Sequence, residues 1–307
     1  MNRRDVLKTA GLVSGLAIAP SLSFAQQKKP SANFKFCLNT STIRGQKPGL
    51  QKSIEIATKA GYDSLELWVS DVAEFKDQGN SLKTLKKFLD DNHLTVEDAI
   101  GFAPWMVDDD KQREAGFVKM KQDMELMAEL GCKRIAAPSS GVKADAPLDL
   151  FKVGERYKKL LDLGRQTGVM PQLEFWGGSP VFYHFGQALM ACAAANDPDV
   201  RILPDIYHLF RGGSGFECLK MVNGSLIDVI HINDFPSSVP RLEQNDGHRV
   251  YPGDGAAPLK QIITDLYTMG GTKVLSLELF NKEYWNNDPL VTAKTGLEKM
   301  KKMVALL

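Results

Sequence analysis

The sequence predicts a single (β/α)8 barrel, an α/β fold, and three observations lead to that prediction. Strand-like and helix-like segments alternate from Phe34 to the end of the 307-residue chain, with no linker or low-complexity break. The strand-like runs are short and mostly apolar, as expected of parallel strands that are covered on both faces. There are eight of them, and eight strand–helix units in roughly 270 residues match the size of one barrel.

The strands and helices can be assigned in chain order. Eight runs read as strands: Phe34–Asn39, Ser64–Val69, Thr95–Phe102, Arg134–Pro138, Gln172–Trp176, Arg201–Ile206, Asp228–Asn233 and Val274–Phe280. Between them, apolar residues recur at helical spacing in segments that start at Leu50, Leu82, Phe117, Leu160 and Leu259. Glycine follows several of these segments, at Gly61, Gly131, Gly168 and Gly270, where a helix is expected to stop.

A doubly wound open sheet is the alternative architecture. Such a sheet normally carries a glycine-rich phosphate turn of the form GxGxxG after its first strand. The first strand here is followed by Thr40–Gly45, which reads TSTIRG and lacks that motif. The barrel is therefore the preferred prediction.

The N-terminus is predicted to be a twin-arginine signal peptide covering residues 1–25. Arg3 and Arg4 precede an apolar run from Ala10 to Ala19, and Ser23-Phe24-Ala25 supplies small residues for cleavage. A membrane anchor is the alternative, but the run is shorter than the roughly 20 residues that span a bilayer. We expect export to the periplasm or the extracellular space, no stable membrane anchor, a polar tether at residues 26–33 and the barrel at residues 34–307.

Charge and cysteine content exclude several classes of protein. Residues 1–25 contain three basic residues and one acidic residue, so their removal changes the net charge from +1 to −1. A nearly neutral body has no electrostatic footprint for nucleic acid. The four cysteines form no CxxC pair, and we expect them to be buried free thiols rather than zinc ligands or disulfides.

Four acidic or imidazole side chains lie at the ends of four successive strand-like runs: Glu174, Asp205, His231 and Glu278. A parallel barrel brings these strand ends to one mouth, where they could hold a divalent metal. Each residue also has an ordinary alternative: Asp205 could cap a helix, His231 could lie satisfied in the core, and the glutamates could pair with basic residues. Together, three carboxylates and an imidazole favour a cation, Mn²⁺ first, with Co²⁺, Mg²⁺ or Zn²⁺ as alternatives.

Aromatic and polar residues at the same end of the barrel are candidates for substrate binding. Trp68, Trp105 and Trp176 follow strands 2, 3 and 5, where their rings could stack on a sugar. Glu66 ends strand 2 and could bind a substrate hydroxyl. Arg249 could hold a substrate oxygen, although Arg241 in the same long loop, or a surface salt bridge, are open alternatives.

Several short motifs add a family resemblance. They are AGYDSLEL (Ala60–Leu67), Leu173-Glu174, DIYH (Asp205–His208), HIND (His231–Asp234), PGDG (Pro252–Gly255) and SLE (Ser276–Glu278). With them, residues 34–307 resemble the xylose isomerase-like TIM barrels, in particular the sugar phosphate isomerase/epimerase group of ketose 3-epimerases and inosose dehydratases. The resemblance implies that Glu174, Asp205, His231 and Glu278 bind the metal, that Glu174 and Glu278 act as base and acid, and that His208 binds substrate.

These observations predict a secreted, metal-dependent isomerase or epimerase of a non-phosphorylated sugar or keto-sugar, working through a metal-stabilised enediolate. A lyase, a dehydratase or a 3-keto-glycoside-cleaving enzyme with the same site is the first alternative. A non-catalytic sugar-binding barrel is a remote alternative. An endonuclease IV-like enzyme is disfavoured, because this chain lacks the additional histidines and the basic face that such an enzyme needs. The expected partner is a small-molecule sugar, and a homo-oligomer is compatible with the sequence.

Overall fold

A computed structural model describes residues 32–144 and 147–307, and all eight predicted strands are present. The strands are β1 (Ala32–Asn39), β2 (Ser64–Trp68), β3 (Thr95–Ile100), β4 (Arg134–Ala137), β5 (Met170–Glu174), β6 (Ile202–Leu203), β7 (Val229–Ile232) and β8 (Gly271–Leu277). β1 begins two residues before the predicted barrel boundary, so Ala32 and Asn33 belong to the strand rather than to a tether. The predicted signal peptide, residues 1–25, lies outside the described residues.

The described part of the chain contains nine α-helices: α1 (Leu50–Ala60), α2 (Val69–Asp77), α3 (Leu82–Asp91), α4 (Asp110–Ala128), α5 (Leu150–Thr167), α6 (Phe185–Ala195), α7 (Ile206–Arg211), α8 (Leu259–Met269) and α9 (Pro289–Val304). α4 starts seven residues before the predicted apolar segment, because its polar first turns are capped by Asp109, which accepts from Gln112 N at 2.7 Å. None of these helices combines the length and the apolar character needed to cross a bilayer.

All strand pairs are parallel, but they form two hydrogen-bonded sheets rather than one continuous ladder of eight. One sheet has the order β3-β2-β1-β8-β7 and the other the order β4-β5-β6. Pro204 has no N–H to donate and ends β6 after two residues, yet its carbonyl accepts from His231 N at 2.9 Å, which joins β6 to β7. Between β3 and β4–β5 the link is made by side chains, as Gln172 Nε2 donates to Asp98 Oδ2 at 2.9 Å. The eight parallel strands of the predicted barrel are thus divided between two hydrogen-bonded sheets.

The interior of the strand layer holds a small apolar cluster and a polar layer nearer the carboxyl ends. The apolar cluster consists of Cys37, Ile100, Ala136, Leu203, Val229 and Val274, all buried. All four cysteines are free; three are buried, as predicted, and Cys218 is partly exposed. Burial raises the pKa of the Cys37 thiol, so this group is an inert core residue.

The amino end of the strands is held by a charged cluster around Glu97. This glutamate, placed early in strand 3 by the sequence, is 2% exposed. Its carboxylate accepts from Lys133 Nζ at 2.8 Å, Arg134 Nη1 at 3.0 Å and Lys35 Nζ at 3.2 Å. The cluster ties β1, β3 and β4 together at the end of the fold opposite the polar strand ends.

Candidate metal centre and cavity

The four predicted metal ligands converge at the carboxyl ends of β5, β6, β7 and β8. His231 Nδ1 lies 3.1 Å from Glu278 Oε2, 3.5 Å from Asp205 Oδ2 and 3.7 Å from Glu174 Oε1. All four side chains are buried. The sequence places each of them at or directly after a strand, and parallel strands bring those positions to one point.

The surroundings of His231 favour positive charge at the centre of this cluster. Nε2 lies 2.9 Å from Glu66 Oε1, whereas Nδ1 has no aligned hydrogen-bond partner among the described residues. Burial opposes protonation, but the carboxylates of Glu278 and Glu66 raise the pKa of His231 well above its usual range. A divalent cation among the same atoms would take the place of that proton, and hard carboxylate oxygens with one imidazole nitrogen form a suitable donor set.

Arg249 supplies part of the charge that the carboxylates need. Its Nη1 donates to Asp205 Oδ2 at 2.7 Å and to Glu278 Oε2 at 2.6 Å. Its Nη2 donates to Asp246 Oδ1 at 2.6 Å. Burial alone would raise the pKa of Asp205, but Arg249 and His208 hold it well below its usual range. The guanidinium thus joins the long loop to two of the predicted metal ligands.

The loop after β7 returns Arg249 to the site through Asp234. The backbones of Asp234 and Val250 exchange hydrogen bonds of 2.9 and 3.0 Å, which places Arg249 beside the strand ends. The Asp234 carboxylate accepts from Gly253 N, Gly255 N and Ala257 N at 2.8–3.1 Å and so holds the PGDG turn. At Gly255 a Cβ would lie 2.3 Å from the Phe235 carbonyl oxygen, so a side chain there would break this turn.

The predicted acid and base have different electrostatic surroundings. Burial, together with the nearby Glu278 and Asp205 carboxylates, raises the pKa of Glu174 to about 8, against the opposing effect of His231. Glu278 instead is contacted by donors: Arg249 Nη1 at 2.6 Å and Asn39 Nδ2 at 3.1 Å. Two carboxylates so arranged are suited to holding and releasing a proton at different stages of a reaction.

A cavity of about 670 Å³ opens above this cluster. Six of the predicted residues line it: Glu174, Glu278, His208, Arg249, Trp68 and Trp176. Asp205 and His231 lie beneath it, each fully buried. Asp205 also caps α7, since its side chain accepts from His208 N at 3.1 Å. The helix-cap role named as the alternative is therefore present, and it is compatible with the predicted role as a metal ligand.

Two predicted substrate contacts lie elsewhere. Trp105 is fully buried and donates from Nε1 to the Pro138 carbonyl at 3.0 Å, because the chain after β3 folds back into the core before α4. Glu66 is also fully buried and contacts His231 and Ser276 behind the cluster instead of the cavity. Arg241 donates to the Arg211 carbonyl on the outside of the loop, so of the two candidate arginines only Arg249 lines the cavity.

The structure also brings in residues that the sequence reasoning missed. Asn39 ends β1 and donates to Glu278, while Asn233 Nδ2 donates to Asp205 Oδ1 at 3.1 Å. Phe102 and Phe280 line the cavity beside the predicted tryptophans. Asn39 and Asn233 follow the same rule as the predicted acidic ligands, because each is a polar residue at a strand end, and that signal would have identified them.

The parallel strands carry a candidate metal site at their carboxyl ends, and comparison with known proteins gives the family of the chain. The chain belongs to the xylose isomerase-like TIM barrel family, whose model matches residues 54–303. This confirms the predicted family.

Relatives with inosose isomerase as their name cover nearly the whole chain. The inosose isomerase of Bacillus velezensis is 27% identical over 274 residues, which cover 88% of this chain and 97% of the relative. That of Bacillus subtilis strain 168 is 27% identical over 273 residues, covering 87% and 95%. A crystal structure of the IolI protein with a bound zinc atom superposes with a TM-score of 0.80, at 25% identity and with 88% and 98% of the two chains covered.

Proposed function

We propose that this protein is a divalent-metal-dependent isomerase or epimerase of a non-phosphorylated sugar or keto-sugar. The observation that carries the proposal is the convergence of Glu174, Asp205 and Glu278 oxygens within 3.7 Å of His231 Nδ1 at the base of a cavity. The inosose isomerase relatives, which cover nearly the whole chain, support an enzyme that acts on sugars.

Glu174, Asp205, His231 and Glu278 would hold the ion. When bound, it would polarise a substrate carbonyl and make the adjacent C–H more acidic. The sequence favoured Mn²⁺, while the IolI structure contains zinc, and a donor set of carboxylates and one imidazole accepts either ion.

The cavity residues supply the remaining chemistry. Glu174 and Glu278 are the predicted ligands that line the cavity, so they can reach the carbon beside the carbonyl. One carboxylate removes its proton to leave an enediolate, and the other returns a proton on the opposite face. His208 Nε2 lies 3.2 Å from Arg249 Nη2, which can only donate, so Nδ1 carries the hydrogen and can donate to a substrate oxygen.

The basic groups of the cavity support a substrate without phosphate. Arg249 is paired with carboxylates, and Arg211 donates to the carbonyls of Gln244 and Leu242. A phosphate would have to displace one of these arrangements, whereas neutral hydroxyls would not.

Metal content, inhibition and isotope exchange test the proposal together. Purified protein should contain a divalent metal, lose turnover of a ketose panel after EDTA treatment, and recover it with Zn²⁺, Mn²⁺ or Co²⁺. In deuterated water the product should gain deuterium beside the carbonyl. Full activity after prolonged chelation would contradict metal dependence, and a product that has lost water or an aglycone would replace isomerisation with the elimination alternative.

We further propose twin-arginine export to the periplasm or beyond, supported by the residue pattern of positions 2–25. Changing Arg3 and Arg4 together to lysine should leave the protein in the cytoplasm with its N-terminus uncleaved. Cell fractionation and N-terminal sequencing measure this, and unchanged export would contradict the proposal.

A further inference from the structure

The cavity mouth is divided into an aromatic half and a polar half. Trp68 ends β2, and Phe280, Phe102 and Trp176 follow β8, β3 and β5. The four rings line the cavity and form one continuous arc. Neighbouring ring centroids along this arc are separated by 6.2 Å (Phe280–Trp68), 5.3 Å (Trp68–Phe102) and 6.2 Å (Phe102–Trp176). The arc therefore runs around the strand ends on the side of β8, β2, β3 and β5.

The opposite half is built from α7 and the loop after β7. Tyr207, Gln244 and Asp246 line the cavity there. Tyr207 Oη and Gln244 Oε1 are buried and have no hydrogen-bond partner among the described residues. Buried polar groups without partners are unfavourable, so a hydroxylated ligand would be favoured on this side.

The size of the aromatic arc indicates more than one ligand ring. The rings pack against one another with centroids 5.3–6.2 Å apart, so the row of four is longer than one sugar ring, which cannot cover all of them. Phe102 lies in the middle of the arc and is 46% exposed, so it presents an open face to the cavity. A volume of about 670 Å³ is typical of sites for drug-sized ligands, which are larger than a monosaccharide.

We propose that this cavity binds a two-ring glycoside. The reacting sugar ring lies near Glu174 and Glu278, and a second, glycosidically linked sugar ring stacks on Phe102 and Trp176. This inference rests on the proposed function for the identity of the reacting ring, and on the aromatic arc for the second ring.

Binding of unreactive sugars tests the second ring separately from catalysis. The zinc-loaded full chain is titrated with cellobiose, maltose and trehalose, and with methyl β-glucoside as the single-ring probe, by calorimetry and tryptophan fluorescence. At least one disaccharide should bind about tenfold more tightly than the methyl glucoside, as expected for one additional stacked ring. Equal or weaker binding of all three disaccharides would overturn the proposal.

Two phenylalanine variants identify the surface responsible. Phe102→Ala should reduce the affinity ratio of the preferred disaccharide over methyl glucoside to near one. Phe151→Ala removes a phenylalanine that is 63% exposed on α5, away from the cavity lining, and should keep the ratio at the wild-type value. Equal effects of the two variants would contradict the assignment. If the protein shows no deuterium exchange but keeps its preference for a disaccharide, only the proposed function is contradicted. If it shows deuterium exchange but no preference for a disaccharide, only this inference is contradicted.

Discussion

His231 and Glu66 form a fully buried pair in which the imidazole Nε2 lies 2.9 Å from the carboxylate Oε1. With Nε2–H directed at Glu66, the lone pair of a neutral His231 ring lies on Nδ1, beside Asp205, Glu174 and Glu278. Glu66, predicted to contact substrate, instead contacts the imidazole, and we expect it to act as a positioning residue for the ring. Carboxylates in this role commonly orient metal-binding histidines.

We expect Glu66→Ala to weaken metal binding by about 10–100-fold, while Glu66→Gln, which keeps an acceptor, should have a smaller effect. Calorimetry measures the affinity, and ¹⁵N NMR of the five histidines reports the His231 tautomer. Ser276→Ala is the matched control, since it removes only the hydroxyl that contacts the far oxygen of Glu66. Wild-type affinity and tautomer in Glu66→Ala would contradict the positioning role.

Glu174→Gln should reduce turnover by about 10²–10⁴-fold, the range expected when a proton-transferring group is lost. The amide keeps the shape of the side chain, so thermal unfolding should remain close to wild type. The exposed Glu243 at the same end of the barrel offers a control, and Glu243→Gln should retain activity. Wild-type rates in Glu174→Gln would exclude it as base or acid.

Removal of Arg249 should destabilise the metal-free protein more than the metal-bound protein. Arg249 is the guanidinium that pairs with Asp205 and Glu278, and breaking a buried pair costs about 3–5 kcal/mol. A bound divalent ion would neutralise the same carboxylates, so Arg249→Met should lose less stability in Zn²⁺ than in EDTA. Urea unfolding in both conditions measures the difference.

Arg241→Met is the control for Arg249, because Arg241 is an exposed arginine of the same loop. It should show nearly the same free energy of unfolding as the wild type in both conditions. An equal loss for Arg249→Met with and without metal would show that the guanidinium and the ion do not neutralise the same charges.

Acid stability should depend on Glu97. Burial opposes ionisation, but hydrogen bonds and charge from Lys133 and Lys35 lower the pKa of Glu97 to about 2. Because the folded pKa lies below the unfolded value, the ionised group stabilises the fold above about pH 4.5, and that contribution is lost as the pH falls toward 2. Glu97→Gln should therefore cost about 2 kcal/mol at pH 7 and almost nothing near pH 2.

Urea unfolding from pH 2 to 7 measures the Glu97 effect. Glu55→Gln removes a carboxylate from an exposed helix pair with Lys52 and should leave the profile unchanged. A constant difference between wild type and Glu97→Gln at every pH would contradict the assigned shift.

Strand ends can be recognised in the sequence, and this is why it was possible to predict the positions of Glu174, Asp205, His231 and Glu278. Apolar runs mark parallel strands, and the polar residue that ends each run must lie at the common mouth. Asn39 and Asn233 carried the same signal. The five predicted helices could be recognised from apolar spacing and glycine stops, whereas the starts of α4 and α5, at Asp110 and Leu150, could not.

What lies beyond a strand end depends on tertiary packing. Trp105 and Trp176 both follow strands, yet one is buried against Tyr157 and the other lines the cavity. Glu66, predicted to end its strand, lies in the middle of β2, whereas Glu278 directly follows β8, and only Glu278 lines the cavity.

The sequence by itself determined the strand order, the residue types at the candidate metal site and the end of the fold that carries them, because these follow from local apolar patterning and parallel topology. Only the tertiary structure decided that Arg249, not Arg241, pairs with the carboxylates and that Glu66 contacts His231. It also decided that four aromatic rings line one side of the cavity. Those outcomes depend on loop paths and side-chain depth, which are set by contacts between residues far apart in the chain.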